Sequence, residues 1–270
     1  METWEMNDFG ELPLLQGELA ALADVRAPAS VIPAVMAGVG LGDGYFAAPS
    51  PIGRIFVAYN DKGVSAVSPA GDRSRFETEF QTRTGRRAYP VEVPPGSLAR
   101  AVEARLRGRR VKSLHFDLRG LSDFEQAVLR KALEIPRGEV RPYAWIAAEI
   151  GHPRAVRAAG TALAHNPVPL LIPCHRVVRS DGRTGNYALG AEAKRAILQA
   201  EGARPDELDR LAAAGLRYYG SNTTRIFCYP TCGHAQRISE GRRVAFKSGA
   251  EAAAAGYRAC RVCRPAEAVA

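Results

Sequence analysis

Four of the chain's five cysteines fall within its last 43 residues, as Cys228-x3-Cys232, then 27 residues, then Cys260-x2-Cys263. Two close pairs at that separation match structural zinc spacing, in which four thiolates surround one metal tetrahedrally. A unit of about fifty residues buries too little apolar surface to hold itself together, so its folding is expected to need the metal. The odd total of five cysteines argues against a disulfide framework. From Arg217 to Arg264, nine Arg or Lys stand against two Glu. Some of that charge solvates a small domain, and some suits phosphates, where each neutralised contact adds salt-dependent affinity.

The remaining cysteine lies in Ile172-Pro173-Cys174-His175-Arg176-Val177-Val178, after the apolar run Val168-Pro169-Leu170-Leu171. The run is too short for a helix and its prolines break a regular strand, so Cys174 is placed where the chain enters the protein. A free thiol is a weak nucleophile at neutral pH until a base or a positive field makes it a thiolate. Adjacent residues in an extended segment point to opposite sides. Cys174 and His175 therefore communicate only if the backbone turns or a water bridges them. The pair alone also fits a small buried thiol beside a satisfied histidine.

A net charge of +9 and a pI near 9.6 suggest an anionic partner, and by themselves leave nucleic acid, a membrane surface and plain solubility all open. Met1 to Pro13 carries acids and no base, unlike a signal peptide, and the apolar run from Val31 to Leu41 is too short to span a bilayer. A soluble intracellular protein of roughly two domains is expected. Leu12, Leu15, Leu19 and Leu22 share one face of a short amino-terminal helix. Arg54–Tyr59 and Gly63–Val67 read as strands joined by hairpin residues, and Leu114–Leu118 as a third strand. Leu98–Leu106 reads as a helix running into the basic stretch Arg105, Arg107, Arg109, Arg110 and Lys112, which is either a solvated face or a phosphate contact. Ser122-Asp123-Phe124-Glu125 has the form of a capping box. Helices follow over the next residues to Leu133, from Tyr143 to Ile150 behind Pro142, and from Arg154 to His165 after the break at Gly151-His152-Pro153. The last two read as a helix-turn-helix or as a plain helical hairpin, which the pattern alone favours. A helix from Ala191 to Glu201 would expose Lys194 and Arg195, and Asp206–Gly215 reads as a linking helix.

Pro173-Cys174-His175-Arg176-Val177, with Asn166-Pro167 before it and Gly185-Asn186-Tyr187 and Glu201 after it, resembles the O6-alkylguanine-DNA alkyltransferase family. The resemblance implies an α+β fold, with a small three-stranded RNase H-like α/β half and a helix-turn-helix half. A small zinc-bound α/β module would follow. The expected divisions are an extension over 1–43, the α/β subdomain over 44–120, the catalytic domain over 121–204, a linker helix over 205–217 and the four-cysteine zinc module over 218–270.

The implied activity is a suicide methylated-DNA–cysteine S-methyltransferase. An alkyl group passes irreversibly from O6-alkylguanine in duplex DNA to Cys174, with O4-alkylthymine as a further candidate substrate. By the same resemblance, Glu201 fixes the tautomer of His175, His175 takes the Cys174 proton through a water, and Asn166 braces the turn. Arg157 on the second helix fills the gap left by the flipped nucleotide, and Tyr143 and the Val177 backbone read the base, with Tyr187 and Ala188 lining it. Two departures bear on base binding: Pro142 stands where the family usually has Ser or Thr, and Ala188 where some relatives offer a hydroxyl.

Residues 223–232, 250–256 and 258–263 resemble the metal-binding domain of the adaptive-response alkyltransferase Ada. Here the module follows the guanine-repair domain instead of preceding it, and the helical part before the first cysteine is missing or replaced by residues 206–220. The resemblance implies one zinc ion on Cys228, Cys232, Cys260 and Cys263 and no cofactor for the guanine chemistry. Cys228 is a candidate second acceptor, for methyl from phosphotriesters; the other reading is a structural zinc unit that adds DNA affinity. The expected partner is double-stranded alkylated DNA, met by a monomer in a prokaryotic cytoplasm, at the nucleoid and away from membranes. A non-catalytic alkylation sensor or transcription regulator is the main alternative, and a cysteine hydrolase a third.

Overall fold

The computed structural model describes Val31, Val35, Met36 and residues 39–265. The helix expected through Leu12 to Leu22 lies outside them. The first sheet has four strands in the order β3-β2-β1-β4, from β1 (Gly42–Ser50), β2 (Gly53–Asn60), β3 (Gly63–Pro69) and β4 (Arg87–Pro90). β1 and β4 are parallel and the other pairs antiparallel. This corrects the three-stranded expectation twice. β1 and β4 are additional, and Leu114–Leu118 makes only an isolated bridge, Val64 to Phe116. That segment is held to the β3 edge by Val64 N to His115 O (2.9 Å) and Asp117 N to Val64 O (2.8 Å). Gly63 permits the approach, because a Cβ there would lie 2.3 Å from His115 O.

Helix α1 (Arg73–Thr84) joins β3 to β4 and had no clear sequence signal. It buries Phe76 and Phe80 and is otherwise polar, while Asp72 caps it by accepting from Ser74 N at 2.8 Å. Helix α2 (Gly96–Leu106) follows, then α3 (Asp123–Ala132), opened by the expected capping box between Ser122 and Glu125. The short strand β5 (Arg141–Pro142) leads into α4 (Tyr143–Glu149), and α5 (Val156–Ala164) completes the helix-turn-helix. Cys174–Arg176 forms one 3-10 turn, after which β6 (Val177–Val178) pairs in parallel with β5. Helix α6 (Ala191–Ala200) ends at Glu201, and α7 (Pro205–Ala213) leads out of the catalytic half.

The carboxyl-terminal module is a second sheet, β10-β8-β7-β9, from β7 (Tyr218–Ser221), β8 (Ile226–Cys228), β9 (Arg243–Phe246) and β10 (Arg258–Ala259), with α8 (Gly233–Gln236) and α9 (Gly249–Ala254). It is packed on the catalytic half. Its four cysteines share one core with Val128, Ile146, Leu171 and Cys174. Thr231 Oγ1 accepts from Val140 N at 2.9 Å, and Gly233 N donates to Glu139 Oε1 at 2.9 Å. Arg264 pairs with Glu149 at 2.7 Å, and Arg141 lies between the Trp145 and Tyr229 rings.

Candidate active site and metal centre

Cys174 is buried, at 5% exposure, and Asn166 Nδ2 donates to its Sγ at 3.0 Å. The same nitrogen reaches Ile172 O at 3.1 Å, and Asn166 Oδ1 accepts from Val168 N at 3.0 Å. One amide thus ties the loop before the cysteine to the sulfur. Leu170 in that loop holds a left-handed backbone at φ 72°, a conformation that costs a leucine about 1–2 kcal/mol and persists only when its surroundings fix it.

The 3-10 turn takes adjacent Cys174 and His175 out of extended backbone, and no direct hydrogen bond joins their side chains. His175 Nε2 meets Glu201 Oε1 at 3.1 Å, and its buried Nδ1 has no hydrogen-bond partner among the described residues. Arg176 grips the same carboxylate through Nε (2.8 Å) and Nη2 (2.7 Å) and reaches Ile135 O through Nη1 at 2.6 Å. Burial would raise the Glu201 carboxyl, but His175 and Arg176 hold it down to about 2. Burial pushes the Cys174 thiol up, against the Asn166 amide and the Lys194 charge, and pushes His175 down. At neutral pH both are therefore uncharged: a thiol that needs a base, beside an imidazole able to accept a proton.

Lys194 is not on the exposed side of α6. It is 1% exposed, donating from Nζ to Val177 O at 2.7 Å and Asn186 O at 3.4 Å, and burial lowers it to about 8. Sequence reasoning placed a lysine on the solvated face by default. The only signal against this was the helical spacing of Lys194 to the buried Ile197 and Leu198. Arg195 does face outward, paired with Asp206 and Asp209.

Tyr143 is half-buried at the start of α4, near enough to Cys174 for the sulfur to raise it further after burial does. Gly160 on α5 faces its ring, so that a Cβ there would lie 3.8 Å away. Arg157 is exposed on the first turn of α5. The Tyr187 hydroxyl is buried near Cys174 and is pushed up by burial, and Ala188 is exposed. Val177 is less free than expected. Its N–H donates to Cys174 O and its carbonyl already accepts from Lys194, which leaves one carbonyl lone pair for any base.

In the carboxyl-terminal module the four cysteine sulfurs all lie within 4.8 Å of one another and all four residues are buried. A tetrahedral zinc with sulfurs at about 2.3 Å would separate them by about 3.8 Å, so the donor set fits. Cys228 ends β8, Cys232 caps α8, and Cys260 and Cys263 follow β10. Cys228 and Cys260 also line a cleft of about 480 Å³ with Arg237, Arg242, Arg258 and Arg261, and no carboxylate among the described residues lines it.

A buried cysteine on a 3-10 turn behind a helix-turn-helix, joined to a four-cysteine module, is the class that fold and site define. Residues 123–203 match the family model "6-O-methylguanine DNA methyltransferase, DNA binding domain", and residues 209–266 match "Metal binding domain of Ada". The methylated-DNA–protein-cysteine methyltransferase of Methanosarcina barkeri is 37% identical over 155 residues, covering 56% of this chain and 92% of that protein. The namesake from Mycobacterium bovis is 46% identical over 91 residues, covering 34% of this chain and 54% of that protein. The crystal structure of Mycobacterium tuberculosis OGT in complex with DNA is 33% identical, with a TM-score of 0.47, covering 61% of this chain and 98% of that one. The chain belongs to the methylated-DNA–protein-cysteine methyltransferase family, fused to an Ada-type metal-binding module. That module binds zinc, and its four clustered cysteines are a donor set of the right size to hold the ion. Among the described residues no helix is long and apolar enough to cross a membrane.

Proposed function

We propose that the protein repairs double-stranded DNA by moving an alkyl group from O6 of guanine to Cys174, once per molecule. The observation that carries this reading is the run Asn166–Cys174–His175–Glu201, gathered on one buried loop and the end of α6. Glu201 accepts from His175 Nε2 and leaves Nδ1 as the acceptor, and Nδ1 takes the thiol proton through a water. The thiolate sulfur then attacks the alkyl carbon, the carbon–O6 bond breaks, and the guanine keeps the electron pair and takes up a proton. Water cannot release an S-alkyl thioether, so there is no second step.

O6 sits inside the base stack, so the base must leave the duplex, at a cost of a few kcal/mol that is smaller for a poorly paired alkylated base. Exposed Arg157, with the small Ala158 and Gly160 beside it, fills the gap, and Tyr143 meets the flipped base. The protein acts as a monomer in the cytoplasm, at the nucleoid. A sensor without chemistry has no use for a thiol braced in this way, and a hydrolase leaves Arg157 without a role.

Cys228 is the proposed second acceptor, for a methyl group from a phosphotriester, because it lines the arginine cleft that a DNA backbone would enter. Zinc there keeps its sulfur a thiolate near neutral pH.

Peptide mass spectrometry after incubation with O6-methylguanine duplex tests the first claim. One methyl on the Cys174 peptide without further turnover supports it, and an unmodified Cys174 in zinc-loaded protein sinks it. The same measurement with methylphosphotriester DNA decides the role of Cys228.

A further inference from the structure

A second arginine-rich cleft, of about 470 Å³, lies on the catalytic half. Its charged lining is Lys62, Arg105, Arg110 and Arg130, with His115 beside them, and no carboxylate among the described residues lines it. The cations are poorly neutralised. Lys62 pairs at 2.9 Å with Asp61, which lies outside the lining. Arg130 Nη2 donates to the neutral Gln126 Oε1 at 2.9 Å. Arg105 is the anchored member: its Nε donates to Leu171 O at 2.9 Å, while its Nη2 is buried with no partner among the described residues. Burial, and then repulsion by Arg176, push Arg105 down to about 10, against the attraction of Glu201 and with Arg110 adding to the repulsion. Like charges gathered around an unsatisfied guanidinium nitrogen are stabilised by an anion with several acceptor oxygens.

We infer that this cleft is a phosphate-binding site, separate from both cysteine centres, that takes a polyphosphate or a phosphate ester. The volume exceeds that of one phosphate and admits a sugar-sized group as well. The phosphate belongs either to a free small molecule or to the backbone of DNA passing this face, and both present the same oxygens to Arg105, Arg110 and Arg130. The site touches the reactive loop through one bond. Arg105 holds the carbonyl of Leu171, next to the left-handed Leu170 and three residues before Cys174. An anion on Nη2 therefore steadies the loop that positions the thiol, with no contact to the thiol itself.

The test uses the full zinc-loaded chain and the double variant Arg110→Ala/Arg130→Ala, accepted only if its melting temperature and zinc content match the parent. If it does not fold, the exposed Lys62→Ala takes its place. In the first arm tripolyphosphate is titrated calorimetrically. In the second, unmodified duplex is bound over a range of salt. Tripolyphosphate binding that weakens about tenfold or more in the variant supports a free-phosphate ligand. A salt slope lower by about two in the variant assigns the cleft to backbone phosphates. Tripolyphosphate affinity that is absent or equal in both proteins, together with an unchanged salt slope, overturns the inference. None of these outcomes depends on alkyl transfer, so the proposed repair activity stands or falls separately.

Discussion

Asn166 Nδ2 lies 3.0 Å from Cys174 Sγ and 3.1 Å from Ile172 O, so a single amide group fixes both the buried sulfur and the carbonyl two residues before it. Replacing it by alanine removes a donor to the sulfur, leaves Val168 N unpaired and leaves Ile172 O to Cys174 N alone. Asn166→Ala is expected to lose about 1–3 kcal/mol of stability and to slow single-turnover methyl transfer. Asn166→Asp keeps the Val168 bond but sets a carboxylate against the sulfur, and it is expected to be slower than the alanine variant. Quench-flow rates and thermal melts of both variants check the order.

The buried ammonium of Lys194 opposes the upward push of burial on the Cys174 thiol. Lys194→Met removes that charge at similar length. The pH profile of the transfer rate is expected to move upward by about one unit, a loss of about tenfold at neutral pH. A profile that keeps its midpoint would assign Lys194 to packing alone.

The Glu201 carboxyl is held down to about 2 in the folded protein, against about 4.3 in an unfolded chain. Its stabilisation is therefore complete above the unfolded value and is lost as pH falls from about 4.5 through 2. Glu201→Gln is expected to flatten that part of the acid unfolding curve. It also unpairs Arg176 inside the protein, at a cost of about 3–5 kcal/mol at neutral pH. Melts of parent and variant from the acid end to neutral pH measure both effects.

Glu139 accepts from Gly233 N, the residue after Cys232, while Val140 N and Thr231 bond across the same junction. β5 follows at once and pairs with β6, next to the active-site turn. Chelating zinc is therefore expected to lower the melting temperature of the whole chain in one transition, and to speed hydrogen exchange at Val177 and Val178. Two separate transitions, with the lower one alone sensitive to metal, would show the modules to be independent.

Arg157 is exposed and is not needed by the core. Arg157→Ala is expected to leave stability within about 0.5 kcal/mol of the parent while weakening binding and repair of alkylated duplex. Transfer from a free O6-alkylguanine base, which needs no flipping, is expected to be unaffected. Comparing the two substrates isolates the role.

What is local in this fold could be read from the residues alone. Ser122 and Glu125 marked a capping box, Asn60 to Gly63 a hairpin, and the breaks at Gly151 and Pro153 a pair of short helices, because each depends on contacts within a few residues. The spacing of the four cysteines determined the metal module for the same reason. The tertiary structure decided whatever depends on which surface another element covers. Leu114–Leu118 alternates like a strand yet meets the sheet through a single bridge, since a glycine at position 63 lets it approach without running alongside. Lys194 has a charged side chain but lies beneath the Cys174 turn, where carbonyls of Val177 and Asn186 replace water. The chain reads as separate modules, yet the packed structure joins the zinc centre and the reactive cysteine in one core. Burial depends on partners distant in the chain, and no local pattern of residues carries that information.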